Sequence, residues 1–350
     1  MPVAFLTSDI YKDDSGTWYP GGCGYYRCFL PMNAVGGKSA MGRPVFDSGR
    51  GFGVMDSKDG VFGYGTVMLK LVMQRWTPKQ VELAKAVGQR IVVDVDDYYD
   101  GLPEENLAFH ITNPETNKVT NRDHYAKVIE RADTLTVSTP FLLEQYRGKH
   151  PDVRMVRNGV APGMFHVKRH RNEKPVIGWA GSTSFRGGDL EMLAGWLPGF
   201  LEKHDLMFHH AGHSPMARQF HEVVGIPEER MKTSPLLPID VYPVGLQNFD
   251  IGIVPLTDIP FNHAKSCIKG LEYAASGIPF VASASPEYEY LNATGVGRIA
   301  RTATEWADQL EQLLDYKTRK REAAIQRKIV MGMHSMEQRA PEWQAVFSPS

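Results

Sequence analysis

Two rhythms alternate along the chain. Short apolar runs, the mark of strands buried on both faces, are separated by stretches whose apolar residues recur at helical spacing. Residues 3–7, 67–73, 91–93, 134–138 and 153–156 are predicted strands. Between them Thr77-Pro78 supplies an N-cap and a first-turn proline for a helix to about residue 87. Residues 125–131 read as helix, and Thr139-Pro140 opens another. Residues 106–123 are polar and read as loop, while the glycine-rich 32–60 shows no clear period. A basic, aperiodic tract at 164–174 reads as a linker. The alternation then restarts, with strands at 176–180, 206–210, 251–254, 278–282 and 298–300 and a weak one near Met231. Helices are predicted at 189–201, near 216–223 and at 240–246. Thr302 and Glu305 form a capping box for a helix carrying Trp306, Leu310, Leu313 and Leu314, and a basic helix covers 320–336. The pattern predicts an α/β chain of two Rossmann-like domains in tandem, 1–165 and 166–336.

One stretch, PFNHAKSCIKGLEYAASGIPFVAS at 260–283, organises the rest. Around a continuous helix, Asn262, Lys265, Ser266, Lys269, Glu272 and Tyr273 fall on one side. Ala264, Cys267, Ile268, Leu271, Ala274 and Ala275 fall on the other, and Gly277 and Pro279 end the helix before a buried strand. Lysines, a serine and an amide thus line the first turns, where free N–H groups and the helix dipole already favour an anion. Glu272 follows farther along the axis, a layout that suits a nucleoside diphosphate with its ribose hydroxyls on the carboxylate.

Totals narrow the classes. The chain has 350 residues, 42% hydrophobic and 23% charged, which is ordinary for a soluble globular protein of two domains. A net charge of −1 gives no global attraction for nucleic acid or membrane. Cys23, Cys28 and Cys267 are too few for a disulfide framework or zinc site. No apolar run suits a membrane span and the start does not read as a signal peptide, so no stable membrane insertion and a cytoplasmic location are expected.

Further candidates sit at predicted strand ends, where open α/β sheets bind ligands. Gly178 to Thr183, with Gly181 and Ser182, brings backbone close, and Arg186 can pair with phosphate. A second segment is 249–258. Gly21-Gly22-Cys23-Gly24 follows the first strand too distantly for a dinucleotide fingerprint and reads as a turn that can face a phosphate or as a plain loop. Asp94-Val95-Asp96 resembles a metal-holding pair in shape, but a single-domain metal site would leave the second half unexplained. Asp96 and Asp97 are instead expected to line the cleft. Two basic tracts, at 168–174 and 317–328, read as solvated faces, with an anionic acceptor as the sharper reading.

IGWAGSTS (177–184), NFDIGIVPLTDIPFN (248–262) and KSCIKGLEYAASGIPFVAS (265–283) resemble the donor domain of retaining GT-B glycosyltransferases, close to glycosyltransferase family 4. ADTLTVSTP (132–140) and VRNGV (156–160) occur in the same order in such enzymes, and GGCGYYRCFLP (21–31) and VVDVDD (92–97) resemble the acceptor half of a bacterial and phage branch. The resemblance implies two domains facing a central cleft, with a UDP- or GDP-linked sugar held by the second and an acceptor by the first. It implies that Lys265 and Arg186 neutralise the leaving diphosphate, that Glu272 takes the ribose, and that Gly24 faces the phosphates. No metal or other cofactor is implied, because cations and a helix N-terminus replace it. The end of the chain, 337–350, is expected to cross back to the first domain with Trp343 and Phe347 as anchors. Where many members carry a first, sugar-contacting glutamate, this chain has Ala264. For the catalytic histidine of many members, His110 and His124 are candidates by region. The acceptor is left open among modified DNA, protein, lipid and saccharide. The alternatives are a sugar-nucleotide epimerase, for which Asp96, Asp97 and His210 would be needed, and a non-catalytic sugar-nucleotide-binding protein.

Overall fold

The structure, a computed structural model, describes residues 2–12, 17–55, 59–166, 170, 172–214 and 217–348. The apolar runs become strands of two six-stranded sheets. Val3–Thr7, Thr66–Lys70 and Val176–Ala180 are buried at every position, which is why they read as continuous runs rather than alternations. In space the first sheet runs Val153–Met155, Thr134–Val137, Arg90–Val95, Thr66–Lys70, Val3–Thr7, Ala40–Gly42, with every pairing parallel. The second runs Met231–Pro235, Met207–His213, Val176–Ala180, Ile251–Val254, Phe280–Ser283, Arg298–Ala300, also parallel throughout. Each sheet reverses its winding once: between Val3–Thr7 and Thr66–Lys70 in the first, and between Val176–Ala180 and Ile251–Val254 in the second. A crevice opens beyond the strand ends at each reversal.

Several local expectations change. The glycine-rich 32–60 contains the edge strand Ala40–Gly42 and an antiparallel ribbon, Pro44–Asp47 with Gly51–Val54. The polar 106–123 contains the helix Leu107–Thr112, capped by the Asn106 side chain. The helix expected over 189–201 is a 3-10 turn, Glu191–Leu193, followed by Leu197–Lys203, whose first turn carries Pro198. Gly21 to Gly24 is no loop. It opens a helical stretch from Gly22 to Val35 with a π-helical segment at Tyr25–Phe29. The basic helix is Tyr316–Met333, and a separate helix, Met336–Phe347, follows. Met216, Lys168, Arg169 and Arg171 lie outside the described residues.

The chain passes between the domains twice, side by side. The Val160 N–H donates to the His334 carbonyl at 3.0 Å, and the Met336 N–H donates back to the Val160 carbonyl at 2.8 Å. Met336–Phe347 then lies on the first domain, burying Trp343, Val346 and Phe347 against Val3, Phe5 and Tyr25. The Phe5 and Phe347 rings meet edge to face at 5.2 Å.

Candidate active site

At the second reversal the Val176–Ala180 strand ends in Gly181, held at φ +147°, where an L side chain is strained. A Cβ here would stand 3.3 Å from Arg186 Nη2 and 3.4 Å from Lys269 Nζ. Glycine therefore lets two cations converge on the strand end. Both lie against the Trp179 ring, Arg186 at 5.5 Å and Lys269 at 5.8 Å from its centre. Lys269 also donates to the Ala180 carbonyl. Burial pushes the Lys269 ammonium down to about 8, with Arg186 adding to the fall and Glu272 opposing it. Ser182 does not point at a ligand: its hydroxyl accepts from the Ser184 N–H at 3.2 Å and caps a 3-10 turn, while its carbonyl faces Arg186 Nε at 3.4 Å.

The helix expected from Asn262 is broken. Pro260–His263 forms one turn, and the helix proper is Ile268–Ala275. Ala264 lies fully buried in the first domain's core cluster, and its carbonyl accepts from Thr139 Oγ1 at 3.3 Å instead of continuing the helical ladder. Asn262 is thereby turned away from the cleft. It is 2% exposed, and its amide donates to Asp189 Oδ1 at 2.7 Å and to the Thr257 carbonyl and hydroxyl at 3.0 Å. The donor-binding expectation for Asn262 is corrected on this ground: its amide ties together the loops under the site. Lys265 sits in the break and reaches across to Asp97 of the first domain at 2.7 Å. Ser266, beside it, accepts from Asn158 Nδ2 at 2.9 Å.

Glu272 stands a turn beyond Lys269, 6% exposed. Its Oε1 accepts from Tyr26 of the first domain at 2.7 Å and its Oε2 from Tyr242 at 3.0 Å. Burial raises its pKa, against the pull of Lys269 and the two hydroxyls. A carboxylate has about four acceptor positions, so two phenols leave room for ribose hydroxyls. Tyr273, expected on the polar face, is fully buried and accepts from the Ala180 N–H at 3.0 Å.

Across the cleft, Asp9 governs the glycine segment. The Gly24 N–H donates to Asp9 Oδ2 at 2.8 Å and the Gly21 N–H to the Asp9 carbonyl at 3.0 Å. A Cβ on Gly24 would stand 2.4 Å from that carbonyl. Gly24 is therefore spent on Asp9 and buried, and the expectation that it faces phosphates is corrected; Gly22 and Cys23 reach the cavity instead. Behind them Arg27 and Asp94 pair at 2.6 Å with both side chains fully buried. Lys70, equally buried, sits between Asp94 and Asp96. Asp94 further accepts from Thr136 Oγ1 at 2.7 Å. Its carboxylate is committed to two cations, so Asp94 is not free for the metal pair read from Asp94 and Asp96; no metal-holding cluster occurs among the described residues.

The residues thus brought together are Gly22, Cys23, Asp97, Arg186, Lys265 and Glu272, around an interdomain cavity of ≈ 310 Å³. Asp96, Ser266 and Lys269 line it too. His110 is not among them. It is exposed on Leu107–Thr112 and borders a neighbouring space of ≈ 710 Å³ that meets the cavity only at Arg186. His124 contacts the Lys118 carbonyl at 3.2 Å. His210 stacks on Trp179 at 5.2 Å and contacts the Gly181 carbonyl, and burial lowers its pKa to about 4. It supports a strand end rather than supplying the acid or base an epimerase would need. Tyr26 and Tyr242 were not legible as site residues. Lys269 was, one turn before Glu272 on the same helix face.

No family profile matches the chain. Over 175 residues, 46% of the chain, it is 29% identical to the Bacillus subtilis (strain 168) protein TuaH, assigned as a teichuronic acid biosynthesis glycosyltransferase. The match spans 42% of that relative, less than half its length. Among solved structures, sucrose-phosphate synthase from Thermosynechococcus elongatus superposes with a TM-score of 0.66 at 13% identity, over 99% of this chain and 98% of that one. Anabaena HepE in complex with UDP gives 0.63 at 12% identity, over 99% of both chains. At such identities the likeness is one of architecture, and the chain has the two-domain GT-B fold of these glycosyltransferase structures.

Proposed function

We propose that the chain is a glycosyltransferase that takes a sugar from UDP or GDP and transfers it with retention of configuration and without a metal ion. The observation that carries this reading is the convergence of Arg186, Lys265, Lys269 and the start of Ile268–Ala275 on one wall of the cavity, with Glu272 beyond. A diphosphate laid there meets two or three cations at the start of a helix, the charge stabilisation a departing diphosphate requires. Lys265 and Arg186 take the diphosphate, Lys269 supports them, and Glu272 accepts ribose hydroxyls. With the leaving group so held, the acceptor hydroxyl attacks from the same face and passes its proton to the diphosphate oxygen. Asp97, paired to Lys265 on the opposite wall of the cavity, is assigned to the sugar or the acceptor in this reading. HepE, of the same fold, is seen with UDP and with UDP-glucose, which supports a uridine donor as the first to try.

The test is a nucleotide-sugar screen by thermal shift, followed by donor hydrolysis and calorimetry with the best binder. Binding of a nucleoside diphosphate that Lys265→Ala or Glu272→Ala weakens by roughly ten-fold or more is expected. Unchanged affinity in both variants would overturn the site. Activity that survives chelation and an anomeric proton signal of unchanged configuration in the product are the expected outcomes for metal independence and retention. Conversion of the sugar nucleotide to its epimer with no acceptor present would replace transfer by epimerisation.

A further inference from the structure

The second sheet's reversal holds the cavity just described, and the first sheet's reversal holds one of its own. Beyond the ends of Val3–Thr7 and Thr66–Lys70 lies a cavity of ≈ 360 Å³, bordered by Ser8, Phe46, Met55, Gln74, Trp76 and Gln80. It shares no lining residue with the donor cavity. It is nevertheless adjacent in the chain: Ser8 borders one, and Asp9, the next residue, holds the glycine segment that borders the other. The space of ≈ 710 Å³ near His110 is larger but runs into Arg186 and belongs to the donor side.

The chemistry of this crevice is specific. Trp76 and Met55 are 47% and 46% exposed, although they adjoin a core in which Phe52 is buried and Phe46 meets it edge to face at 5.1 Å. Uncharged side chains, Ser8, Gln74, Thr77 and Gln80, share the lining, Ser8 donating to the Leu71 carbonyl and Thr77 to Gln74 Oε1; among the described lining residues Arg43 is the only ionic side chain and none is a carboxylate. The backbone is strained at the same place: Leu71, directly after Thr66–Lys70, is held at φ +56°, one of only two non-glycine residues among those described with positive φ. Strain of that kind persists where surrounding contacts impose it and gathers at binding sites. A pyranose ring has an apolar C–H face that lies on an indole and a rim of hydroxyls that both donate and accept, which matches the exposed Trp76 surface beside the amides of Gln74 and Gln80. A lipid tail would bury the Gln74 and Gln80 amides, and among the described lining residues an anionic polymer would meet Arg43 alone.

We propose that this crevice is the acceptor subsite and that the acceptor is an oligosaccharide, one sugar unit of which stacks on Trp76. Because the two cavities are separate, one unit is seated here while another reaches Asp97, so the acceptor has at least two units. The proposal rests on the glycosyltransferase reading for its word acceptor, but the saccharide site stands on its own geometry.

Titrating the full chain with di- to tetrasaccharides of glucose, galactose, mannose, rhamnose, N-acetylhexosamine and hexuronic acid, with calorimetry as readout, tests it. At least one is expected to bind, to lose roughly ten-fold or more in affinity with Trp76→Ala, and to recover most of it with Trp76→Phe. UDP affinity measured on the same variants reports whether the donor cleft is intact. The proposal is overturned if no oligosaccharide binds, or if the one that binds does so equally well in Trp76→Ala. UDP binding without any Trp76-dependent saccharide binding would remove this inference and leave the donor reading standing. Trp76-dependent saccharide binding without nucleotide binding would do the reverse.

Discussion

The two walls of the cleft each carry a group of cations, and the two groups are built on opposite principles. In the first domain Arg27 and Lys70 are fully buried and face Asp94 and Asp96, so charge is matched within the cluster. Arg27 uses its remaining donors on the Val156 carbonyl at 2.6 Å and on Asn158 at 3.1 Å, and lies 4.7 Å from the Trp343 ring centre. In the second domain the cations are not matched within their own group: Arg186 has Asp189 only at 4.0 Å, Lys269 has a carbonyl, and Lys265 has a partly exposed carboxylate of the other domain at 2.7 Å. A saturated cluster is a structural joint, whereas an unsaturated one is prepared for an anion that arrives later.

The largest effect expected from breaking this contrast is on the saturated side. Asp94→Ala leaves two buried cations short of a partner and should cost about 3–5 kcal/mol of stability, read by denaturant unfolding. Arg27→Ala should cost as much and also loosen Met336–Phe347, seen as early hydrogen exchange in that helix. On the unsaturated side the order reverses. Lys265→Ala should change the melting temperature little, because the Lys265–Asp97 pair is about a quarter exposed, at 25% and 23%. It should weaken nucleoside diphosphate binding by roughly 10- to 100-fold, the measure of a lost charge-assisted hydrogen bond. Equal stability losses in Asp94→Ala and Lys265→Ala would abolish the distinction.

A pH titration sharpens it further. Lys269 has its pKa lowered to about 8 in the fold, from the ordinary 10.5. Between those values the unfolded chain holds a proton that the folded one has released, so this residue makes stability rise with pH from about 8 to 10.5. A bound diphosphate favours the charged ammonium and so prefers the protonated form. Affinity for UDP should therefore be full below pH 8 and fall as pH rises through 8, by a few-fold, and Lys269→Gln should flatten the curve. Calorimetry from pH 6.5 to 9.5 checks both; a flat wild-type profile would remove Lys269 from the phosphate site.

What could be seen in the sequence follows from what each signal depends on. Apolar runs and helix caps are local, so the strands of both sheets were legible except the edge strand Ala40–Gly42 in the glycine-rich 32–60, as were most connecting helices. Helix-face arithmetic is local only while the helix is continuous. It placed Lys265, Lys269 and Glu272 on the cleft side but misplaced Asn262, because burial of Ala264 against the other domain breaks the helix between them. Gly24 was misjudged for a similar reason: the N–H that seemed free is claimed by Asp9, fifteen positions away. Tyr26 and Tyr242 meet at Glu272 from the two domains, and nothing in either neighbourhood announces it. Arg27, Lys70 and Asp94 are ordinary charges until three elements bring them together.

The smallest expected effect concerns the one bond that joins the two groups. Asp97 touches Lys265 from the first domain, next to Asp96 of the saturated cluster. It neutralises the lysine that a diphosphate would take, so donor binding at Lys265 would exchange one partner for the other. Asp97→Asn removes the competitor while keeping the shape, and should tighten UDP binding by a few-fold, the scale of a partly exposed ion pair. The same change should lower transfer more than it alters donor binding if the freed carboxylate then meets the sugar or the incoming hydroxyl. Measured together, tighter UDP binding with slower transfer would make Asp97 a group that changes partners during the cycle. Weaker UDP binding in Asp97→Asn would mean instead that Asp97 orients Lys265 toward the phosphates, and the bond would belong with the structural cluster behind it.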